Sequence, residues 1–349
     1  MNPLQVAIIQ MDAQPAPTAE RLQRAERLVN RAAQGGAQLA ALPELFNTGY
    51  SYRAENYRLA EDLHGPTARW MQATAMKHGI HLAGTLLLRQ ADEIYNALLL
   101  FSPDGRMWRY DKLYPWGWER AYFRPGAGPV VAKTALGRIG MLICWDAGHP
   151  GLWRRYAGQV DLMLLCSCPP RVTNPVYHLP GYAPVPFDAL GPLSAQIKDS
   201  ELRVFGPMAA EQSAWLGVPL VATSACGSVR TAVPRGRASL LGLALGAPWL
   251  LKYLPAADRM EMACAMTPGS QALDASGRAL ATISQAAGET LALAEIQLAT
   301  QRPIPNGPQP RAGLHWAAYL FADRYIPGLC RPVYHRNKAQ AIADGEETE

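Results

Sequence analysis

The chain alternates short apolar runs with amphipathic segments over most of its length. Residues 6–9 form an apolar run of strand length, and in residues 18–33 the apolar positions recur at the spacing of one helical face. Thr18 is placed to cap that helix, and two glycines follow its end. Further helices are predicted over residues 67–78, 152–159 and 208–215.

Strand-length apolar runs, separated by turn residues, occupy much of the remaining chain. The turn Ser-Pro-Asp-Gly at residues 102–105 indicates a hairpin. Strands alternating with helices, mixed with hairpins, predict a layered α/β domain, although this pattern leaves the number of layers open. The predicted strands are 6–9, 39–42, 80–88, 95–101, 107–110, 130–131, 138–143, 162–166, 218–223, 270–273, 279–283 and 290–296.

Two segments interrupt this alternation and are predicted to be insertions in a domain spanning residues 1–300. Residues 169–207 are rich in proline and aromatic residues and show little regular period, which indicates a lid or interface loop. Residues 231–266 include an uncharged apolar stretch, too short for the ~20 residues that span a bilayer. We expect that stretch to pack in the core or a lid, with a membrane-surface or subunit contact as the alternative.

The remaining residues, 301–349, are predicted to be a C-terminal extension that forms a subunit interface or is partly disordered. The chain has 349 residues, of which 49% are hydrophobic and 17% charged, and this composition is that of a globular protein. A net charge of +5 without a basic stripe argues against nucleic-acid binding. No signal-peptide pattern opens the sequence and the six cysteines are widely spread, so we expect a cytoplasmic protein with free thiols.

Three ionisable residues stand where strand-like segments end. Cys144 ends an apolar run, Glu44 follows the segment 38–43, and Lys112 follows the segment 107–111. Layered α/β proteins keep their active sites at such strand ends. A thiol, a carboxylate and a cation brought together there would suit covalent catalysis with a built-in base and a stabilised oxyanion.

The residues around these three positions resemble, in the expected order, three motifs of the nitrilase (carbon–nitrogen hydrolase) superfamily. They are Leu-Pro-Glu-Leu-Phe-Asn-Thr-Gly-Tyr at 42–50, Tyr-Asp-Lys-Leu-Tyr-Pro at 110–115, and Gly-Met-Leu-Ile-Cys-Trp-Asp at 140–146. The resemblance implies a four-layer αββα sandwich and a homodimer or higher oligomer. It also implies Glu44 as general base, Lys112 as catalytic lysine, Cys144 as nucleophile and Glu119 as a supporting acid.

The resemblance becomes weaker around the expected substrate pocket. After Cys144 the chain lacks the Phe-Pro-Glu segment of many amidases, and it has an Asp at position 146 where nitrilases proper carry Glu. The Asp at position 146 favours an amide or N-carbamoyl substrate over a nitrile. Asp146 or Arg171 would hold a polar end of the substrate, and the aromatic lining favours a bulky or acyl-chain substrate. The predicted substrate-binding residues are Tyr50, Trp116, Trp118, Trp145, Asp146 and His149.

Other chemistries receive less support from the sequence. His149 is a rival base for Cys144, and Cys166 with Cys168 would need further ligands to hold a metal. We therefore expect an amidohydrolase without cofactor or metal. Three alternatives remain open at this point, namely nitrile hydrolysis by the same three residues, acyl transfer to an amine through the same acyl-enzyme, and a non-catalytic binding module on the same fold.

Overall fold

Two six-stranded sheets form the middle of the protein in the computed structural model, which describes residues 2–171, 175–244, 246–305 and 307–346. The strands are β1 (Asn2–Gln10), β2 (Leu39–Ala41), β3 (His81–Gln90), β4 (Glu93–Phe101), β5 (Met107–Asp111), β6 (Val131–Thr134), β7 (Gly137–Ile143), β8 (Leu162–Ser167), β9 (Val176–His178), β10 (Val185–Pro186), β11 (Leu220–Ser224), β12 (Ser228–Ala232), β13 (Glu261–Ala265), β14 (Gln271–Leu273), β15 (Ala279–Thr282) and β16 (Thr290–Leu298).

Helices connect these strands and extend beyond the last one. They are α1 (Thr18–Gln34), α2 (Glu55–Arg58), α3 (Pro66–His78), α4 (Pro150–Arg154), α5 (Pro192–Ile197), α6 (Ser200–Arg203), α7 (Ala209–Leu216), α8 (Gly236–Ala244), α9 (Trp316–Tyr319) and α10 (Ile326–Glu346). Within the described ranges, no helix is both long enough and apolar enough to cross a membrane.

The two large sheets are built around short parallel cores with antiparallel edges. The first sheet has the order β16-β1-β2-β3-β4-β5, in which β1, β2 and β3 run parallel. The second has the order β15-β14-β11-β8-β7-β6, in which β11, β8 and β7 run parallel. Within each sheet, the parallel strands carry their carboxyl ends to the same edge, which is where α/β proteins place their functional residues.

Alternating residues of the central strands are buried on both faces, which produces four layers. In β1, Val6 and Ile8 face the second sheet, whereas Ala7 and Ile9 pack with the apolar side of α1. Helices α1 and α3 cover the first sheet, and α4 and α7 cover the second. The predicted αββα sandwich is therefore confirmed.

A third sheet joins the two segments that were predicted to be insertions. Its order is β10-β9-β13-β12, and β9 of the earlier segment pairs with β13 of the later one at Glu261 and His178. The segment 169–207, predicted to be a lid or interface loop, contains strands and short helices that its sequence did not reveal, because pairing between segments distant in sequence leaves no local periodicity. Residues 172–174 and Leu245, within these two segments, lie outside the described residues.

Two predicted helices begin or end differently from expectation. Thr18 is the first residue of α1 and not its cap, since Pro17 occupies the cap position without a side-chain hydrogen bond. The helix predicted over residues 152–159 ends at Arg154. Beyond it the side chain of Tyr156 is buried and its hydroxyl donates to the Met141 carbonyl at 2.6 Å, and Gly158 adopts a left-handed conformation.

The C-terminal extension folds back over the strand ends. A π-helical turn, Leu320–Tyr325, joins α9 to α10, so the chain is helical from Trp316 to Glu346. Cys330 and Tyr334 of α10 are buried in a core that also contains residues of the third sheet. Its role as a subunit interface stays a prediction, and residues 347–349 lie outside the described part of the chain.

Candidate active site

The three strand-end residues meet at one buried point. Lys112 Nζ, just after β5, donates to Glu44 Oε1 at 2.8 Å and to Glu119 Oε2 at 2.7 Å. Lys112 is 0% exposed, Glu44 and Glu119 are each 2% exposed, and Cys144, directly after β7, is 4% exposed. The four residues predicted to be catalytic therefore lie together between the two large sheets.

Glu44 is held by donors on both of its carboxylate oxygens. Asn96 Nδ2 donates to Oε1 at 2.7 Å, and the backbone N–H of Cys168 donates to Oε2 at 2.8 Å. Asn96 comes from the middle of β4 and Cys168 from the end of β8, so both large sheets fix this carboxylate. The role of Asn96 was missed, although a lone amide in an apolar strand was the available signal.

The charges around Lys112 compensate one another in a site closed to water. Burial alone would lower the pKa of Lys112, but Coulomb interactions with the ionised forms of Cys144, Glu119 and Glu44 raise it well above its usual value. Burial raises the pKa of Glu119 to about 7, against the opposing effect of the Lys112 cation. Lys112 thus remains protonated, whereas Glu119 can change its charge near neutral pH.

Cys144 occupies a strained turn that projects its side chain from the end of β7. Its φ is +49°, in the left-handed region that costs a residue with a Cβ about 1–3 kcal/mol. Such a sharp turn after a strand is typical of nucleophiles in α/β enzymes. Burial, and then the Glu44 charge, raise the pKa of the Cys144 thiol well above its ordinary value. The thiol therefore needs a base before it can attack.

Asp146 lies outside the cavity, which corrects its prediction as a substrate-binding residue. Its side chain is fully buried beneath the turn and accepts four hydrogen bonds. Oδ1 accepts from the backbone N–H groups of Leu113 at 3.1 Å and Tyr114 at 2.8 Å. Oδ2 accepts from the Tyr110 hydroxyl at 2.7 Å and the Ile143 N–H at 3.1 Å. Asp146 thus connects the segment after Lys112 to the turn that carries Cys144.

His149 also lies behind the cavity wall and not in it. Its Nδ1 is 3.0 Å from the Trp145 carbonyl oxygen, and its Nε2 is 3.0 Å from Asp323 Oδ2. The ring stacks on Tyr114 with 3.5 Å between the ring centroids. Because both ring nitrogens are engaged in these contacts, His149 neither lines the pocket nor serves as a base for Cys144.

A cavity of about 120 Å³ opens above Cys144 and Glu119. Four of the predicted aromatic residues line it, namely Tyr50, Trp116, Trp118 and Trp145, and Arg171 lines it as well. The sequence did not indicate the rest of its wall, which comes from the two inserted segments and the C-terminal extension. These further apolar residues include Pro169, Pro170, Pro175, Tyr177, Phe187, Leu190, Ile197, Phe205, Leu243, Met262, Ala318, Phe321, Ala322 and Ile326.

Metal ligands do not cluster in the described part of the chain. No group of three or more His, Cys, Asp or Glu side chains among those residues is arranged to hold an ion. Cys166 and Cys168 are both buried, and burial raises the pKa of each thiol. Both thiols therefore favour the protonated form, whereas the thiolate is the form that binds metals.

Comparison with known proteins finds a family match over the first half of the chain. The family model of carbon–nitrogen hydrolases matches residues 5–182. A nitrilase of Pyrococcus abyssi is 31% identical over 151 residues, covering 42% of this chain and 58% of the relative. Omega-amidase YafV of Escherichia coli is 30% identical over 131 residues, covering 37% of this chain and 50% of the relative. The chain thus spans about half the length of these curated relatives.

Solved structures resemble the protein over most of its length. XC1258 of Xanthomonas campestris, a CN-hydrolase superfamily protein with an arsenic adduct in its active site, has a TM-score of 0.61 and 20% identity. The match covers 85% of this chain and 91% of that one. An amidase of Nesterenkonia AN1 from the nitrilase superfamily has a TM-score of 0.59 and 20% identity, covering 83% and 90%. These likenesses show that the fold is shared.

Proposed function

The chain belongs to the carbon–nitrogen hydrolase family, and we propose on that premise that it hydrolyses a non-peptide carbon–nitrogen bond through an acyl-enzyme on Cys144. The observation that carries the proposal is the buried cation of Lys112, bonded to Glu44 and Glu119 beside Cys144. An amide or N-carbamoyl compound is the proposed substrate.

The first step forms a bond between the Cys144 sulfur and the substrate carbonyl carbon. Glu44 takes the thiol proton, because the buried thiol is protonated at rest and the Glu44 carboxylate is close enough to raise its pKa. The electron pair of the C=O bond moves to oxygen and gives a tetrahedral oxyanion. Lys112 and the backbone N–H after Cys144 stabilise that charge, where exclusion of water strengthens each interaction.

The second step breaks the carbon–nitrogen bond. Glu44 returns its proton to the departing nitrogen, and ammonia or an amine leaves. The acyl group stays on sulfur as a thioester. Glu44 then removes a proton from water, and the resulting hydroxide attacks the thioester carbon. The Cys144 thiolate leaves, the carboxylic acid departs, and Glu44 returns the proton to the thiolate.

Glu119 is proposed to hold Lys112 and orient the substrate. Its Oε2 accepts from Lys112 and from the backbone N–H of Trp116 at 2.7 Å. Its Oε1 is buried, and among the described residues none donates to it. Glu119 also lines the cavity, so an N–H of a bound amide can donate to Oε1.

Ammonia release from a mixed panel of amides, N-carbamoyl compounds and nitriles tests the proposal. The purified protein is assayed beside Cys144→Ala, and hydroxylamine is added to divert the thioester into a hydroxamate. Release that requires Cys144, together with hydroxamate formation, supports the acyl-enzyme, and the responding compounds distinguish amide from nitrile. Equal release by Cys144→Ala rejects the proposal.

A further inference from the structure

We propose that four residues of the C-terminal segment (defined here as residues 316–326), namely Ala318, Phe321, Ala322 and Ile326, form a wall of the active site that limits the size of an apolar acyl group. This inference rests on the proposed function, because it concerns the acyl half of the substrate attacked by Cys144. It assigns a specificity role to a part of the chain that lies outside residues 5–182, the region matched by the family model.

Three side-chain contacts fix the C-terminal segment to the turn that carries Cys144. The indole Nε1 of Trp145 donates to Asp323 Oδ1 at 2.8 Å. Asp323 Oδ2 is 3.0 Å from His149 Nε2, and the Tyr319 hydroxyl donates to the Gly148 carbonyl at 2.6 Å. Because Trp145 directly follows Cys144 and lines the cavity, these contacts set the position of the wall relative to the nucleophile.

The cavity side of the same segment is apolar. Ala318, Phe321, Ala322 and Ile326 line the cavity there. Phe321 and Ala322 belong to the π-helical turn, a rare element that is frequent at functional sites. Phe205, which belongs to a second π-helical turn at Val204–Met208, also lines the cavity. Two irregular helical turns thus supply walls of the same cavity.

The volume of the cavity limits the group that it accepts. The cavity measures about 120 Å³, and an apolar cavity of about 150 Å³ binds benzene. Because this cavity is the smaller of the two, a short branched chain or a single phenyl ring is the largest acyl substituent that we expect it to hold, whereas an acetyl group would leave most of the wall without contacts. We infer that the preferred substrates are amides of compact apolar acids.

Asp323 is a positioning residue in this proposal. Its contacts are to Trp145 and His149, so it acts on the substrate only through the side chain of Trp145. Asparagine at this position keeps an oxygen that can accept from the indole, whereas alanine removes both contacts. The comparison of Asp323→Asn with Asp323→Ala therefore separates the hydrogen bonds made at this position from its negative charge.

One substitution that fills the cavity and one that enlarges it test the wall. We expect the unaltered protein to have a higher kcat/KM for benzamide than for acetamide. Ala322→Leu should reduce the ratio of these two kcat/KM values about tenfold or more, since each methylene in an apolar pocket changes kcat/KM about tenfold. Phe321→Ala should shift the preference towards longer amides such as hexanamide. Leu320→Ala, at an exposed neighbour outside the cavity lining, is the matched control and should leave the ratio unchanged.

Substitution of Asp323 tests the same wall independently. We expect Asp323→Ala to raise KM for benzamide more than for acetamide, and Asp323→Asn to restore most of the difference. A purely structural role would lower activity towards all amides by the same factor. Unchanged acyl preference in Ala322→Leu, Phe321→Ala and Asp323→Ala would overturn the proposal.

A binding measurement separates failure of the wall from failure of the proposed function. Benzamide and acetamide are titrated calorimetrically into Cys144→Ala and into Cys144→Ala carrying Ala322→Leu or Phe321→Ala. Tighter binding of benzamide, weakened by Ala322→Leu, supports the wall even if no amide is hydrolysed. If amides are hydrolysed but neither wall substitution changes the affinity for benzamide or acetamide, the wall is rejected while the proposed hydrolase function stands.

Discussion

Replacing Asp146 with asparagine tests whether this buried carboxylate holds the active site together. The side chain accepts four hydrogen bonds, two on each oxygen, from Tyr110, Leu113, Tyr114 and Ile143. Asparagine can keep the two backbone donors on one oxygen. It then presents an N–H group to the Ile143 N–H, which cannot accept, so that donor is left buried without a partner.

The expected loss of stability follows from this count. Hydrogen bonds to a charged group contribute about 1.5–3 kcal/mol each; the bond from Ile143 is lost, and the bond with Tyr110 becomes a weaker neutral one in which the hydroxyl accepts. Relief of the buried charge offsets part of this loss, since burial raises the pKa of Asp146. We expect Asp146→Asn to lower the free energy of unfolding by about 3 kcal/mol. The same change should lower kcat of the folded protein, because Lys112 and Cys144 lose their common support.

Urea unfolding measures the first effect, and turnover per folded molecule measures the second. Asp274→Asn is the matched control, because Asp274 also accepts from two backbone N–H groups, those of Ser276 and Arg278, but in an exposed hairpin turn. We expect the control to lose about 1 kcal/mol or less and to keep full activity. A loss below about 1 kcal/mol in Asp146→Asn, with unchanged kcat, would refute the reasoning.

Three further predictions concern the charges of the site. Lys112→Met should lower the free energy of unfolding by about 3–5 kcal/mol and abolish turnover, because two buried carboxylates lose their cation; a stable, active variant would contradict this. Since the pKa of Glu119 is raised from 4.5 to about 7, the folded protein holds a proton that the unfolded chain releases. Stability should therefore fall by up to about 3 kcal/mol as pH rises between these values, and Glu119→Gln should flatten that part of the curve in urea titrations. If Glu119 must be charged to hold Lys112, kcat/KM should rise through about pH 7 in the unaltered protein; a pH-independent rate would argue against that role.

The sequence predicted the candidate catalytic residues Glu44, Lys112 and Cys144 because each one follows a strand-like segment. Glu44 and Cys144 are visible as polar interruptions of apolar runs, whereas Lys112 follows a segment of mixed polarity, and the order of the three motifs indicates the family. Their meeting point depends on how two separate sheets pack, which no local pattern shows. The resemblance to the family supplied the four layers.

The sequence misplaced Asp146 and His149 because the direction of a side chain depends on the backbone turn. The left-handed conformation of Cys144 turns the chain so that Asp146 lies under the strand ends and His149 lies behind Trp145. Sequence spacing from Cys144 alone placed both residues in the pocket. Neither residue type is unusual in a pocket, so no local signal opposed that interpretation.

The wall of the cavity was the least predictable part. Asp323 contacts Trp145 and His149 across about half of the chain. The cavity-lining residues Ala318, Phe321, Ala322 and Ile326 recur at the spacing of one helical face, but that spacing does not show what the face covers. Contacts between segments distant in sequence leave little trace in a single sequence.

The acyl-enzyme on Cys144 is the central claim, and rapid-quench mass spectrometry tests it most directly. The protein is mixed with an amide that responds in the ammonia assay, quenched in acid within one turnover, digested and analysed for modified cysteine peptides. We predict an added acyl group on the peptide that contains Cys144, lost again over time in the unaltered protein and absent from Cys144→Ala. Ammonia release without any adduct on Cys144, or with the same rate in Cys144→Ala, would contradict the account.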